Sequence, residues 1–168
     1  LFLTTVAYED LEAFVIDYSQ AFMIPLQDVP IYVRPPAGLE LVYPHLVRGE
    51  GYAIELLHSV QGTKQAARLF RNLTTEVMLG PAFKAAGLQV RQFESDPDVF
   101  RMDEMVDGEP TGKYALMLRH ADDFPVASNS MELLYKIFEL CKSEVGMCTK
   151  VPLTQLLGGR VRRDRDER

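Results

Sequence analysis

Cysteine is scarce: the 168 residues contain two, Cys141 and Cys148. That is neither a disulfide framework nor a metal-ligand pattern, and a reducing, intracellular setting (cytoplasmic or nuclear) is expected. Long apolar runs are missing, with nothing near the ~18 residues of a membrane helix, so no membrane is expected as a partner. The start, LFLTTVAYED, lacks the basic n-region and apolar core of a signal peptide. It also lacks an initiator Met, and charges run on through RVRRDRDER at the other end; a piece of a longer polypeptide is expected. Positive charge is in deficit, with 18 Lys and Arg against 24 Asp and Glu and a net charge of −6. Such a total ordinarily argues against a nucleic-acid partner. The deficit is local, however. Residues 92–110 hold seven acids and one base, whereas residues 63–91 hold five bases and one acid. A basic segment of that kind is where an electrostatic footprint for nucleic acid is sought.

What is present is ordinary for a globular protein: 47% apolar and 25% charged residues. Residues 1–10 read as a short helix with Leu3, Val6, Ala7 and Leu11 on one face. Residues 12–17 read as a buried strand ending on Asp17. Prolines 25, 30, 35 and 36 space the next stretch, leaving room for a short edge strand at Ile31–Arg34; residues 52–57 read as another strand. A helix is predicted from Thr63 to Leu79, with Ala67, Phe70, Leu73, Thr74 and Val77 inward, Lys64, Arg68 and Arg71 outward, and Gly80-Pro81 as its stop. Residues 98–106 and 113–119 form a hairpin across VDGEPTG. Ser128 or Ser130 caps a last helix whose core face is Leu134, Ile137, Phe138 and Cys141. With no repeat and no linker, residues 1–168 read as a single α+β unit.

Two constellations carry chemistry. Asp122-Asp123 lies in a turn between the apolar runs Tyr114–Leu118 and Phe124–Ala127, and Asp17 ends another apolar strand. Carboxylates from neighbouring strand ends suit divalent metal, since Mg²⁺ takes oxygen ligands and few protein groups. Two such ions clamp an in-line phosphoryl transfer. The second constellation is Gln61-Gly62 leading into the basic-faced helix, where glycine allows close backbone approach to a phosphate or nucleotide. Its spacing is not that of a P-loop. His45 and His58 have no metal-ligand spacing and read as surface positions; Met102, Met105 and Met117 read as packing.

In order, these segments resemble the reverse transcriptase of copia-type retrotransposons. The family's DVKTAFLxGxLxExIYMxQPxGF run is matched by Asp17-Tyr18-Ser19-Gln20-Ala21-Phe22 and then Ile31 to Leu39. Its LxKSLYGLKQSPRxW run is matched by Leu56 to Phe70, and GFxxSxxDPCxF by Ser95-Asp96-Pro97-Asp98-Val99-Phe100. The YVDD motif corresponds to His120-Ala121-Asp122-Asp123, and FxMxDLGxLxxFLG to Met147 through Gly158. The chain departs from the family at His120 and Ala121 (Tyr and Val in the family), at Ala67 and Phe70 (Pro and Trp), and at Pro125, which removes a ladder donor just after the acids and is expected to distort the hairpin.

The resemblance implies a right-hand polymerase palm, an antiparallel sheet packed on helices, with incomplete fingers. The N-terminal fingers strands, thumb and ribonuclease H would lie outside residues 1–168. It implies Asp17, Asp122 and Asp123 as catalytic, metal-binding carboxylates for two Mg²⁺ or Mn²⁺ ions. Phe22, Gln61 and Gly62 would bind the nucleotide, with Phe22 as the steric gate against a ribose 2′-hydroxyl. Lys64, Arg68, Arg71 and His120 would meet the template-primer. The partners implied are an RNA or DNA template-primer, deoxynucleoside triphosphates and the rest of a Pol polyprotein. The function implied is template-directed DNA synthesis; the alternatives are a decayed, non-catalytic binding or packing module and a generic two-metal phosphotransferase or nuclease.

Overall fold

The structure, a computed structural model, describes residues 2–45 and 51–164; the last four residues of the charged tail lie outside the described residues. In chain order the elements are α1 (Phe2–Tyr8), β1 (Glu12–Tyr18), β2 (Tyr32–Val33), β3 (Ile54–Glu55), α2 (Ala66–Met78), α3 (Pro81–Ala85), β4 (Leu88–Gln92), β5 (Val99–Val106), β6 (Glu109–Leu118), β7 (Asp123–Ser128), α4 (Met131–Glu144), β8 (Cys148–Pro152), β9 (Gln155–Leu156) and β10 (Gly159–Arg160). The chain divides into two compact units, Leu1–Gln20 with Leu73–Arg168, and Ala21–Asn72.

The first unit is α+β. Its sheet has six strands in the order β4-β5-β6-β7-β1-β8, every neighbouring pair antiparallel. Setting β4 and β5 aside, β1, the helical stretch ending in α3, β6, β7, α4 and β8 follow the β-α-β-β-α-β chain order of a split βαβ motif. Directly paired residues share a face. Ile16 faces Phe124, Phe14 and Met117 both face Val126, and Phe100 faces Met117. These are the buried side chains of one face, and α4 covers them with Leu133, Leu134, Ile137, Phe138 and Cys141; Phe14 meets Phe138 edge-on at 6.3 Å. Ser130 caps α4, its hydroxyl accepting from the Leu133 amide. On the other face α1 packs Val6 against Ala127 and Leu11, with Phe2, Ala13 and Tyr114 around them.

The helix faces differ in detail from the sequence reading. In α1, Phe2 and Val6 turn inward while Leu3 and Ala7 are exposed. In α2 it is Ala66, not Ala67, that is buried, with Leu69, Phe70, Thr74 and Met78, a stripe at helical spacing displaced by one position at either end from the expected one. Only Asp107-Gly108 separates β5 from β6, both at positive φ (52° and 87°), as a type I′ turn requires. Pro110 therefore lies inside β6, paired with Met105 where β7 no longer runs alongside. β4 and the β9–β10 hairpin have no counterpart in the sequence reading.

The second unit is loop-rich, with the β2–β3 pair and the first half of α2. Its 22–27 loop is stitched to residues 57–59: the Gln27 amide donates to Leu57, the Ser59 amide to Pro25 (both 2.9 Å) and His58 Nδ1 to Ile24 at 3.0 Å. Among the described residues no helix is long and apolar enough to cross a membrane.

Truncating Phe124, fully buried on β7 opposite Ile16 of β1, should remove about 3–5 kcal/mol of stability. Val106→Ala at the exposed hairpin tip should change it by less than about 0.5 kcal/mol. Denaturant unfolding of the two variants checks the assigned core.

Candidate carboxylate site

The hydrogen-bond pattern fixes where the acids stand. His120 and Asp123 exchange both backbone bonds, amide to carbonyl, at 2.9 Å each way. Ala121 and Asp122 are thus a two-residue hairpin loop. Ala121 sits at φ 54°, and Asp122 is not among the residues at positive φ, the pattern of a II′ turn. Because Asp123 spends its amide and carbonyl on His120, it is a non-hydrogen-bonded partner of β1. Its opposite number there is Asp17. Such pairs bring Cα atoms to about 4.5 Å, the closer of the two antiparallel spacings. The next residue, Tyr18, donates its amide to the Asp122 carbonyl at 3.1 Å, tying the turn to the end of β1.

Two carboxylates therefore face each other across adjacent strands, with a third beside them on the turn. Partial burial, then the Asp122 and Asp17 carboxylates, push the Asp123 carboxyl above its ordinary value, and the His120 ring opposes them. Beside Asp123, a cleft of about 410 Å³ runs past Val15, His120 and Pro125 to the Leu156–Gly158 end of the β9–β10 hairpin.

Among the described residues no three His, Cys, Asp or Glu side chains converge closely enough to hold a metal ion by themselves. Mg²⁺, however, is usually held by one or two carboxylates plus waters and substrate phosphates. The facing oxygen donors of Asp17 and Asp123, with Asp122 adding charge, fit that requirement.

Pro125 does not unmake the hairpin. The β6–β7 pairing runs from Ala115↔Ser128 to Met117↔Val126, and His120↔Asp123 continues the same register. The gap falls at Leu118 and Arg119. Alternation from Asp123 places the missing Pro125 N–H toward Leu118 of β6, while Phe124 and Asp122 serve β1. The ladder that carries Asp17 is intact and the loss is confined to β6.

The other predicted residues lie in the second unit. Phe22 is in a 3₁₀ turn, its ring edge-on to Phe70 at 6.2 Å. Gly62 adopts φ 93°, and the Thr63 amide and hydroxyl both donate to the Val60 carbonyl, closing the loop that exposes Gln61 and Gly62. Lys64, Arg68 and Arg71 are exposed. Arg68 is bonded to Asp28 at 2.6 Å, which holds the Asp28 carboxyl below its usual range. Thus Phe22, Gln61, Gly62 and the basic residues share one unit, while Asp17, Asp122, Asp123 and His120 share the other.

The sequence reading passed over two residues. Ser59 is fully buried and donates its hydroxyl to the Phe22 carbonyl; the only signal was a small polar residue just before Gln61-Gly62. Arg119 is buried immediately before the turn, where an arginine closing an apolar run was the clue. Compared with family models, curated proteins and solved structures, the chain matches none.

Ala121 in the left-handed region costs about 1–2 kcal/mol, whereas a glycine loses about 0.5–1 kcal/mol more entropy on folding. Ala121→Gly should therefore stabilise the protein by up to about 1.5 kcal/mol, read as a rise in melting temperature.

Proposed function

We propose that this chain is the palm segment, with part of the fingers, of a reverse transcriptase similar to those of copia-type retrotransposons, working within a Pol polyprotein. The observation that carries the reading is the Asp17–Asp123 pair, opposed across β1 and β7 beside a two-residue turn that bears Asp122. The β-α-β-β-α-β order around that pair, and the motif order along the chain, support it.

The reaction proposed is attack of a primer 3′-hydroxyl on the α-phosphate of a deoxynucleoside triphosphate, with pyrophosphate leaving. Asp17 and Asp123, with Asp122, would hold two Mg²⁺ or Mn²⁺ ions. Bound there, the ions would lower the pKa of the attacking hydroxyl and neutralise charge on the leaving pyrophosphate. The carboxylates' own contribution is placement: both sit at the ends of central strands, so little reorganisation is needed. Phe22 would exclude a 2′-hydroxyl, and the exposed Gln61-Gly62 backbone would approach the nucleotide. Lys64, Arg68, Arg71 and His120 would contact the RNA or DNA template-primer, mainly its phosphates.

A second reading, a non-catalytic relic, is favoured by the β6–β7 gap at Pro125 next to the turn. Two measurements separate the readings. Mg²⁺ or Mn²⁺ should raise the melting temperature, by about 2.7 kcal/mol of added stability at a hundredfold excess over the dissociation constant, and Asp17→Asn or Asp123→Asn should abolish the rise. With fingers and thumb segments supplied, primer extension should proceed and vanish on Asp122→Asn, and Phe22→Ala should admit ribonucleotides. Metal stabilisation without extension would favour the relic; no metal response would overturn the site.

Asp123 also gives a signed pH effect. Its carboxyl is raised in the fold, so its protonation favours the folded state, and its contribution declines as pH rises from the ordinary aspartate value through the folded one. Asp123→Asn should therefore be more stable than the parent at neutral pH without metal, and that advantage should shrink on acidification.

A further inference from the structure

Arg119 ends β6's run into the turn, and its side chain is 4% exposed. A buried guanidinium is tolerated only where its donors are met, and all five N–H groups have acceptors. Nε donates to Asp98 Oδ1 at 2.8 Å, and Nη2 to the same oxygen at 2.6 Å and to the Pro97 carbonyl at 3.4 Å. Nη1 donates to the Thr74 and Thr75 hydroxyls at 3.0 and 2.7 Å. The guanidinium carbon lies 5.2 Å from the centre of the Phe100 ring, and the Arg119 amide donates to the Asp98 carbonyl at 2.8 Å. One side chain thus joins β6 to the start of β5 and to the C-terminal half of α2.

The location gives this clamp its meaning. Leu118, the last residue of β6, and Arg119 just after it are where pairing with β7 lapses, opposite Pro125 and Phe124, and the next residue, His120, opens the carboxylate turn. Between Met117↔Val126 and His120↔Asp123, β5 is the neighbour that pairs with this stretch. Arg119 supplies that link twice, through its backbone and through the ion pair.

We propose that Arg119, with Asp98 and the Thr74 and Thr75 hydroxyls, is the positioning residue for the carboxylate turn, compensating for the β6–β7 bond that Pro125 removes. The proposal rests on the metal-site reading only for why the turn's position matters; the clamp itself needs no metal.

The test is amide hydrogen exchange on the full chain. In Arg119→Met the Asp123 and Tyr18 amides, which close and anchor the turn, should exchange at least tenfold faster, after correction for global stability measured by denaturant melting. Amides in the middle of α4 should not accelerate beyond that correction. Asp98→Asn, which keeps an acceptor oxygen, should give a smaller change in the same direction and serves if Arg119→Met does not fold. Pro125→Val, returning an N–H opposite the Leu118 carbonyl, should recover at least half of the lost protection in either background. Exchange that rises uniformly with lost stability would make Arg119 a core residue and overturn the proposal, as would failure of Pro125→Val to rescue. Mn²⁺ binding by the unmutated chain, measured alongside, tests the metal reading separately: no binding with the exchange pattern intact would sink that reading and leave the clamp standing.

Discussion

The pairing of β1 with β7 is the constraint on which the rest depends. Six successive residue pairs, Glu12↔Ser128 to Asp17↔Asp123, put two central strands in one register. On one face that register stacks Phe14, Ile16, Phe124 and Val126 under α4, which is the core. On the other it sets Asp17 against Asp123. A slip by one residue would exchange the faces and bury the acids, so the hydrophobic pattern that stabilises the sheet also determines where the carboxylates stand. The unfavourable part, two like charges at the closer antiparallel spacing, is tolerated because it falls at the strand ends, where solvent still reaches.

Charge elsewhere is managed more evenly than the composition suggests. Three of the seven acids in residues 92–110 are met by cations: Asp98 by buried Arg119, Asp103 by Arg91 and Arg101, and Glu104 by Lys113 and Lys136. The exposed pairs contribute little to stability individually, but they pair much of the acidity within the sheet rather than leaving it as a free field. The carboxylates of the β1–β7 end are different: only His120 opposes their mutual repulsion at Asp123.

Much of this was legible because it is local. α4 showed its face and its cap, the β5–β6 hairpin showed Asp-Gly, and the strand before Asp17 showed an apolar run. What was missed depends on partners distant in sequence. β8 reads as polar because it is an edge strand, with Thr149, Lys150 and Val151 open to solvent; Lys150 is held instead by the faces of Tyr135, Phe138 and Phe14. Pro125 looked disruptive, since nothing in a proline's neighbours tells which side its missing donor faces; the register from Asp123 does. Ala66 and Ala67 exchange roles because two adjacent alanines give periodicity nothing to choose between; only the packing partners do. Asp17, Asp122 and Asp123 could be named from sequence, but their opposition follows only from the ladder.

The central claim is that the Asp17–Asp123 pair is a divalent-cation site. Anomalous diffraction from crystals grown with Mn²⁺ addresses it most directly. The account predicts a peak beside the Asp17 and Asp123 carboxylates, absent in Asp17→Asn. A peak confined to the acids of the β5–β6 hairpin, or none at an occupancy-saturating Mn²⁺ concentration, would contradict it.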